Sequence, residues 1–372
     1  MSTLDILNFA ALDNDAHLLR VTNGQFLDFV ETRLAPSLTT AQIELYGKLL
    51  TGNRTRYMAA EAMDFSLTET HAARYARYRD RTSELARLCV DALLAKMDTT
   101  PTISAVVANT TVGGTIPSLA SVIGGHVHLA HDGRLIDLGY MGCAAALLAL
   151  EVVEQQLKPG QVGIVVSAEL TSIMTNLSPT TDASLVANTV FGDGVGAFLV
   201  ARRPHRFAPM FHIKRHASDF QTDPEALAAI TYEPNEAYHE IRLQRTIADV
   251  AGRGVRRVME QLVRTSIATP AQKLRYLATG KMPDWQHAVD YAVLHTAGRK
   301  ILDELSQALA LDDTQASHNF ASFHHYSNPS SASLYYVLTE LARLGPPRRG
   351  QSVLFLAYGS GFMTRGMFAK AA

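Results

Sequence analysis

Cysteine is scarce in this 372-residue chain: there are two, Cys89 and Cys143. That excludes a disulfide framework, so a reducing compartment fits and a cytoplasmic location is expected. An excess of charge of one sign is missing too. Thirty-four Lys and Arg face 35 Asp and Glu, for a formal net charge of −1. No global field therefore gathers nucleic acid or a membrane surface, and neither is expected as a partner. The opening Met1-Ser-Thr-Leu-Asp-Ile-Leu-Asn8 lacks the basic start and apolar run of a signal peptide. The most apolar stretch, around Cys143, meets Glu151 and Glu154 before it could span a bilayer. His126/His128 and His324/His325 lack partners at ligand spacing, so no metal site is expected. The glycines around Asp193 do not complete GxGxxG, and Gly359-Ser-Gly361 is not a GxSxG elbow. Those absences speak against a dinucleotide site and a serine hydrolase.

What is present is a globular composition, 47% hydrophobic and 19% charged, long enough for two halves with ample core. The chain is organised around Leu135-Ile-Asp-Leu-Gly-Tyr-Met-Gly-Cys143 and the Ala/Leu-rich run to Leu150. A short apolar run stops at Gly142, and the run after Cys143 is too long for a strand. The pattern predicts a strand feeding a helix, with Cys143 at the helix N-terminus. Unpaired N–H groups and the helix dipole would face the sulfur there and favour thiolate, the nucleophilic form. On this stretch alone, a small buried thiol is the commoner arrangement.

Along the chain, residues 80–97 repeat apolar groups at helical spacing, with Cys89 on the core face. Ile103–Ala108, Val162–Ala168 and the run leaving Val190-Phe-Gly-Asp-Gly194 read as buried strands, so 103–200 alternates strands with helices. Residues 201–235 show little periodicity and are expected as an irregular connection. An arginine-bearing helix is expected near 242–265, a strand over Ala288–Leu294 ending at His295, and a further strand over His318–Phe323. Pro329 suits the first turn of a helix over Ser330–Leu344, and Ser352–Ala357 reads as a strand.

The order of parts repeats. Thirty-four positions separate Asn109 from Cys143, and 33 separate His295 from Asn328. Two copies of one unit, over 1–205 and 206–372, would place Cys143 and Asn328 at equivalent helix starts.

Five motifs in register then carry a resemblance: Gly142-Cys143 before an alanine-rich helix, Phe191-Gly-Asp-Gly194, His295-Thr-Ala-Gly298, Asn328-Pro-Ser-Ser-Ala332 and Ala357-Tyr-Gly-Ser-Gly361. Over roughly residues 45–368 the chain resembles the thiolase superfamily. More narrowly, it is similar to ketoacyl-acyl-carrier-protein synthase III and the chalcone-synthase-like type III polyketide synthases. Thr51–Met58, Ile116-Pro-Ser-Leu119 and Leu185–Gly194 are nearer the type III enzymes. Ser360, where those usually carry proline, is nearer synthase III. Thr296-Ala-Gly298 after the histidine, and Ser327 and Pro329 around the asparagine, depart from the family pattern.

The resemblance implies a duplicated α/β fold with five layers, α-β-α-β-α, and a homodimer. It makes Cys143 the acyl-accepting nucleophile, with His295 and Asn328 as donors to the second substrate. The backbone N–H groups of Cys143 and Ser360 would form the oxyanion hole, and Phe191 would line the entrance. The implied activity is that of an acyltransferase and ketosynthase. An acyl group moves from CoA or acyl-carrier protein to Cys143, then undergoes decarboxylative Claisen condensation in fatty-acid or polyketide biosynthesis. No permanently bound cofactor is implied, only acyl thioesters as substrates. Arg253, Arg256 and Arg257 match a helix that meets carrier protein or cofactor phosphates in synthase III enzymes; a solvated helix face is the plain alternative. Competing readings are acyl transfer to an alcohol or amine with His295 as base, a thioesterase-like hydrolase, and a non-catalytic partner subunit of another synthase.

Overall fold

Runs of β-branched and small apolar residues build strands buried on both faces, and among the described residues nine of thirteen strands join one sheet. The computed structural model describes residues 2–59, 69–174, 181–234, 239–267, 269–279 and 289–372. Its strands are β1 (Leu4–Ala11), β2 (Leu19–Thr22), β3 (Thr55–Met58), β4 (Ile103–Thr110), β5 (Leu129–Gly139), β6 (Val162–Glu169) and β7 (Gly194–Arg202). They continue with β8 (Phe211–Phe220), β9 (Ile230–Pro234), β10 (His239–Leu243), β11 (Tyr291–Leu294), β12 (Ser352–Gly359) and β13 (Met363–Ala371). The order across the sheet is β11-β12-β13-β8-β1-β7-β6-β4-β5.

Two similar blocks meet in this order. In the first, β4 runs parallel to β5 and β6, followed by antiparallel β7 and β1. In the second, β11 runs parallel to β12, followed by antiparallel β13 and β8. The blocks are stitched by β1 and β8 at only Asp5↔His212 and Ile6↔Phe211.

Alternation along each strand sends successive side chains into different cores. On β4, Val106 and Ala108 face the helix His71–Leu94, which brings Leu85, Cys89 and Val90. Ala105 and Val107 face the opposite way, toward the helices Ala145–Gln156 and Ser333–Leu344. On β12, Val353 and Phe355 face that same central pair, whereas Leu354 and Leu356 face the helices Ile247–Leu262 and Arg299–Ala308. The result is five layers, α-β-α-β-α, with two helices buried between sheet halves. Strands covered on both faces need unbroken apolar runs, which is why they stand out in the sequence.

Two expectations are corrected. Residues 201–235 hold β8, paired with β13 at nine positions, then the helix Pro224–Ala228 and β9. The polar residues of β8 and a register shift opposite Phe368/Ala369 hide its period. His318–Phe323 is not a strand but part of the helix Asp313–Tyr326, started by an Asp312/Gln315 capping box. Among the described residues the second block thus has no counterpart of β5. Side chains serve instead: Asn319 Oδ1 accepts from the Leu294 N–H at 2.7 Å, and its Nδ2 donates to Ala292 O at 2.8 Å. The edge of β11 is covered by an amide rather than a strand.

Among the described residues no helix is long and apolar enough to cross a membrane.

Asn319→Ala would leave the Leu294 N–H buried and unpaired, whereas Ala292 O keeps the His318 ring nitrogen at 2.8 Å. It is expected to cost about 1–3 kcal/mol, read from the midpoint of urea unfolding. An unchanged midpoint would show that water replaces the amide.

Candidate active site

The site forms where two backbone turns touch at one end of the central helices. After β5, Tyr140 and Gly142 take positive φ, 59° and 64°, and a 3-10 turn over Gly142–Ala144 enters the helix Ala145–Gln156. The turn after β12 presses against it. A Cβ on Gly142 would lie 2.5 Å from Ser360 N, and one on Gly359 would lie 2.9 Å from Cys143 N. Only glycine fits at either place. Cys143 and Ser360 both stand in the first turn of a 3-10 helix, where N–H groups have no partner in the helix itself. The Ser360 hydroxyl donates to Tyr140 O at 3.1 Å and ties the turns together.

Cys143 is 8% exposed, and its Sγ lies 3.4 Å from Ser330 Oγ. Burial pushes the thiol up to about 12; the Ser330 contact opposes the shift, and the nearby Glu169 charge adds to it. The expectation of a resting thiolate is therefore corrected. Loss of water around the sulfur outweighs the favourable helix end.

The second turn mirrors the first. Ser330 has φ 48° and opens a 3-10 turn over Ser330–Ala332 that enters the helix Ser333–Leu344. By position Ser330 matches Gly142 and Ser331 matches Cys143, so Asn328 stands just ahead of the helix start rather than opposite the cysteine. Its main chain bridges Phe191: the Asn328 N–H donates to Val190 O and its carbonyl accepts from the Gly192 N–H, each at 3.1 Å. Its Oδ1 accepts from the Ser330 N–H at 2.9 Å, while Nδ2 reaches Ala297 O only at 3.5 Å.

His295 follows β11 and is 1% exposed. Its N–H donates to Leu356 O at 2.9 Å, and its Nδ1 lies 2.7 Å from Ser333 Oγ. Burial pushes the imidazole down to about 3, so the ring is neutral at physiological pH.

A cavity of about 180 Å³ brings Cys143, Phe191 and Ser360 together with Thr111, Tyr140 and Ser330. Ile230, Thr231, Tyr232 and Ile241, from β9 and β10, form another wall. Asn328 and His295 are not on that lining; Asn328 adjoins it through Ser330, whereas His295 bonds Ser333 at the start of the helix Ser333–Leu344. The three arginines lie elsewhere, on the outer helix Ile247–Leu262. Arg253 pairs with Glu225 at 3.1 Å and Arg257 with Asp219 at 3.2 Å.

Sequence reasoning missed Glu169. It is fully buried at the end of β6, accepting from the Thr111 N–H and hydroxyl, each at 2.9 Å, and from the Ser331 hydroxyl. Burial pushes its carboxyl up to about 7. The Thr111 hydroxyl is also 3.1 Å from Ser330 Oγ, so a chain of polar groups joins Glu169 to the thiol. The available signal was an acid ending an otherwise apolar strand.

With the thiol held neutral, alkylation of Cys143 is expected to speed up about tenfold per pH unit between about pH 6 and 9. Quench-flow or mass spectrometry with iodoacetamide reads this. A plateau near neutrality would reveal a thiolate–imidazolium pair instead. Gly359→Ala is expected to abolish acylation of Cys143 while preserving the sheet, because the new methyl meets backbone on three sides.

Comparison with known proteins places this geometry. Residues 14–281 match the family model described as FAE1/Type III polyketide synthase-like protein. Residues 286–371 match the model of the 3-oxoacyl-[acyl-carrier-protein] synthase III C terminal. Curated relatives include 3-ketoacyl-CoA synthase 11 of Arabidopsis thaliana, 27% identical over 73% of this chain and 57% of that protein. Another is probable 3-ketoacyl-CoA synthase 20 of Oryza sativa subsp. japonica, 26% identical over 70% of this chain and 53% of that protein. The chain thus spans little more than half the length of these relatives. Among solved structures, the C-terminal type III polyketide synthase domain of Steely1 from Dictyostelium is similar, with TM-score 0.82, 19% identity and 99% of both chains covered. The 1,3,6,8-tetrahydroxynaphthalene synthase of Streptomyces coelicolor is similar at TM-score 0.78 and 21% identity, covering 100% of this chain and 99% of that one. These likenesses establish a thiolase-like fold. Because the first model spans most of the chain, this protein belongs to the FAE1/type III polyketide synthase-like family.

Proposed function

We propose that this protein is a condensing enzyme that loads an acyl group on Cys143 and joins it to a malonyl-type thioester. The observation that carries the reading is a thiol opening onto an apolar cavity beside two N–H groups left over at 3-10 turns. In the first step Cys143 Sγ attacks an acyl thioester, from CoA or a carrier protein, and the thiol proton ends on the departing sulfur. The oxyanion formed on the way is held by the N–H groups of Cys143 and Ser360. In the second step the carbonyl oxygen of the extender accepts hydrogen bonds from His295 and Asn328. The carboxylate C–C bond breaks, CO₂ leaves, and the electron pair becomes an enolate. Its carbon attacks the acyl carbonyl and expels the Cys143 thiolate, which takes up a proton. Asn328 suits its role because its Oδ1 is occupied by Ser330, leaving the NH₂ end to donate.

The reaction needs no resident cofactor, and we place it in the cytoplasm. The units 1–205 and 206–372 contribute the nucleophile and the two donors respectively; the cut falls between β7 and β8. We extend the proposal to a homodimer formed along β5, whose outer edge pairs with no strand among the described residues. For carrier docking, Arg253 and Arg257 are already committed to acids of their own chain. Arg256 is then the arginine of the three that suits an acidic partner.

Incubation with a panel of acyl thioesters is expected to add acyl mass to the wild type and none to Cys143→Ala. A malonyl thioester should then release CO₂, and Asn328→Ala should slow that release about 100-fold. Acylation without CO₂ release would mean transfer to an alcohol or amine instead. No adduct from any thioester would overturn the reading.

A further inference from the structure

His295 and Ser333 meet in a sealed place, 1% and 0% exposed. Their contact, Nδ1 to Oγ at 2.7 Å, leaves open which atom donates. The surroundings decide it. A buried hydroxyl must give its single proton to some acceptor or bear the cost of leaving it unmade. Within a helix, serine and threonine can give it to a carbonyl one turn back. Thr339 of the same helix does so, donating to Tyr335 O at 3.0 Å. Ser333 makes no such bond; among the described residues its one side-chain hydrogen bond is to His295 Nδ1. The hydroxyl therefore donates and the Nδ1 lone pair accepts.

The other ring nitrogen follows. Nε2 has no hydrogen-bond partner among the described residues. The Tyr358 ring stands edge-on to the imidazole, 5.4 Å between centroids, and hinders a flip that would exchange the nitrogens. A neutral imidazole carries one proton, and the hydrogen bond at one nitrogen sets which holds it.

We propose that Ser333 is a positioning residue that locks His295 as the Nε2–H tautomer, so that the ring meets the substrate as a donor and not as a base. The inference rests on the condensing reading and sharpens it: His295 serves the decarboxylating thioester and takes no proton from Cys143. The two half-reactions should consequently respond differently to Ser333.

The test has two arms. In the full-length protein labelled with ¹⁵N-histidine, the His295 signals, assigned by their loss in His295→Gln, are expected to show a protonated Nε2 and a bare Nδ1 at neutral pH. A protonated Nδ1 would overturn the proposal, and this arm needs no variant of Ser333 to fold. In the second arm, Ser333→Ala should slow CO₂ release from malonyl-CoA about 10- to 100-fold, the loss usual when the partner orienting a functional histidine is removed. Acylation of Cys143 by acetyl-CoA should stay within about twofold, and Ser333→Thr should restore CO₂ release. Equal loss of both steps, or of neither, would sink the proposal. Should the wild type release no CO₂ at all, the condensing reading fails, while the ¹⁵N spectrum still decides the tautomer.

Discussion

The site exists because two backbones touch. Gly359 passes so near the peptide of Cys143 that a methyl group could not stand between them, and Gly142 makes the reciprocal approach to Ser360. One turn belongs to the first sheet block and the other to the second, so the geometry of the candidate site and the packing of the halves share one contact. The central helices enforce it. Both are buried between sheet halves and begin at the same end of the layer, so neither start can shift without disturbing the core around Leu147, Leu150, Leu334 and Leu338.

Around that contact the protein keeps charge out. The thiol is pushed up, the imidazole down, and the Glu169 carboxyl toward neutrality, each mainly by burial. A buried resting site close to neutral gains in two ways. Hydrogen bonds to charge that develops during reaction are strong where water is excluded. No pre-existing ion pair has to be broken before substrate enters. Hydroxyls bond to all three groups: Thr111 and Ser331 to the carboxylate, Ser330 to the thiol and Ser333 to the imidazole.

Much of this was legible in the sequence, for physical reasons. Strands such as β4, β6 and β12 are covered on both faces, so they must be continuous apolar runs, and the turn at Gly142-Cys143 breaks one conspicuously. Phe191, Ser360 and Cys143 do share one cavity. Other features depend on partners far along the chain and left no local trace. The polar pattern of β8 makes sense only beside β13, and the helix holding Asn319 is explained by the strand edge it covers. The ionisation of Cys143 could not be read from a helix start, because burial is set by the whole fold. Glu169 was visible only as an acid out of place.

The amide of Asn319 has a consequence beyond stability. A sheet with two open ends can add copies without limit, growing as a ribbon. Here, among the described residues, the β11 end is capped by side chains and the β5 end pairs with no strand. Were two copies to join through β5, both of those ends would be used up and growth would stop there. Side chains of one helix thus close that edge of the sheet as a terminator would.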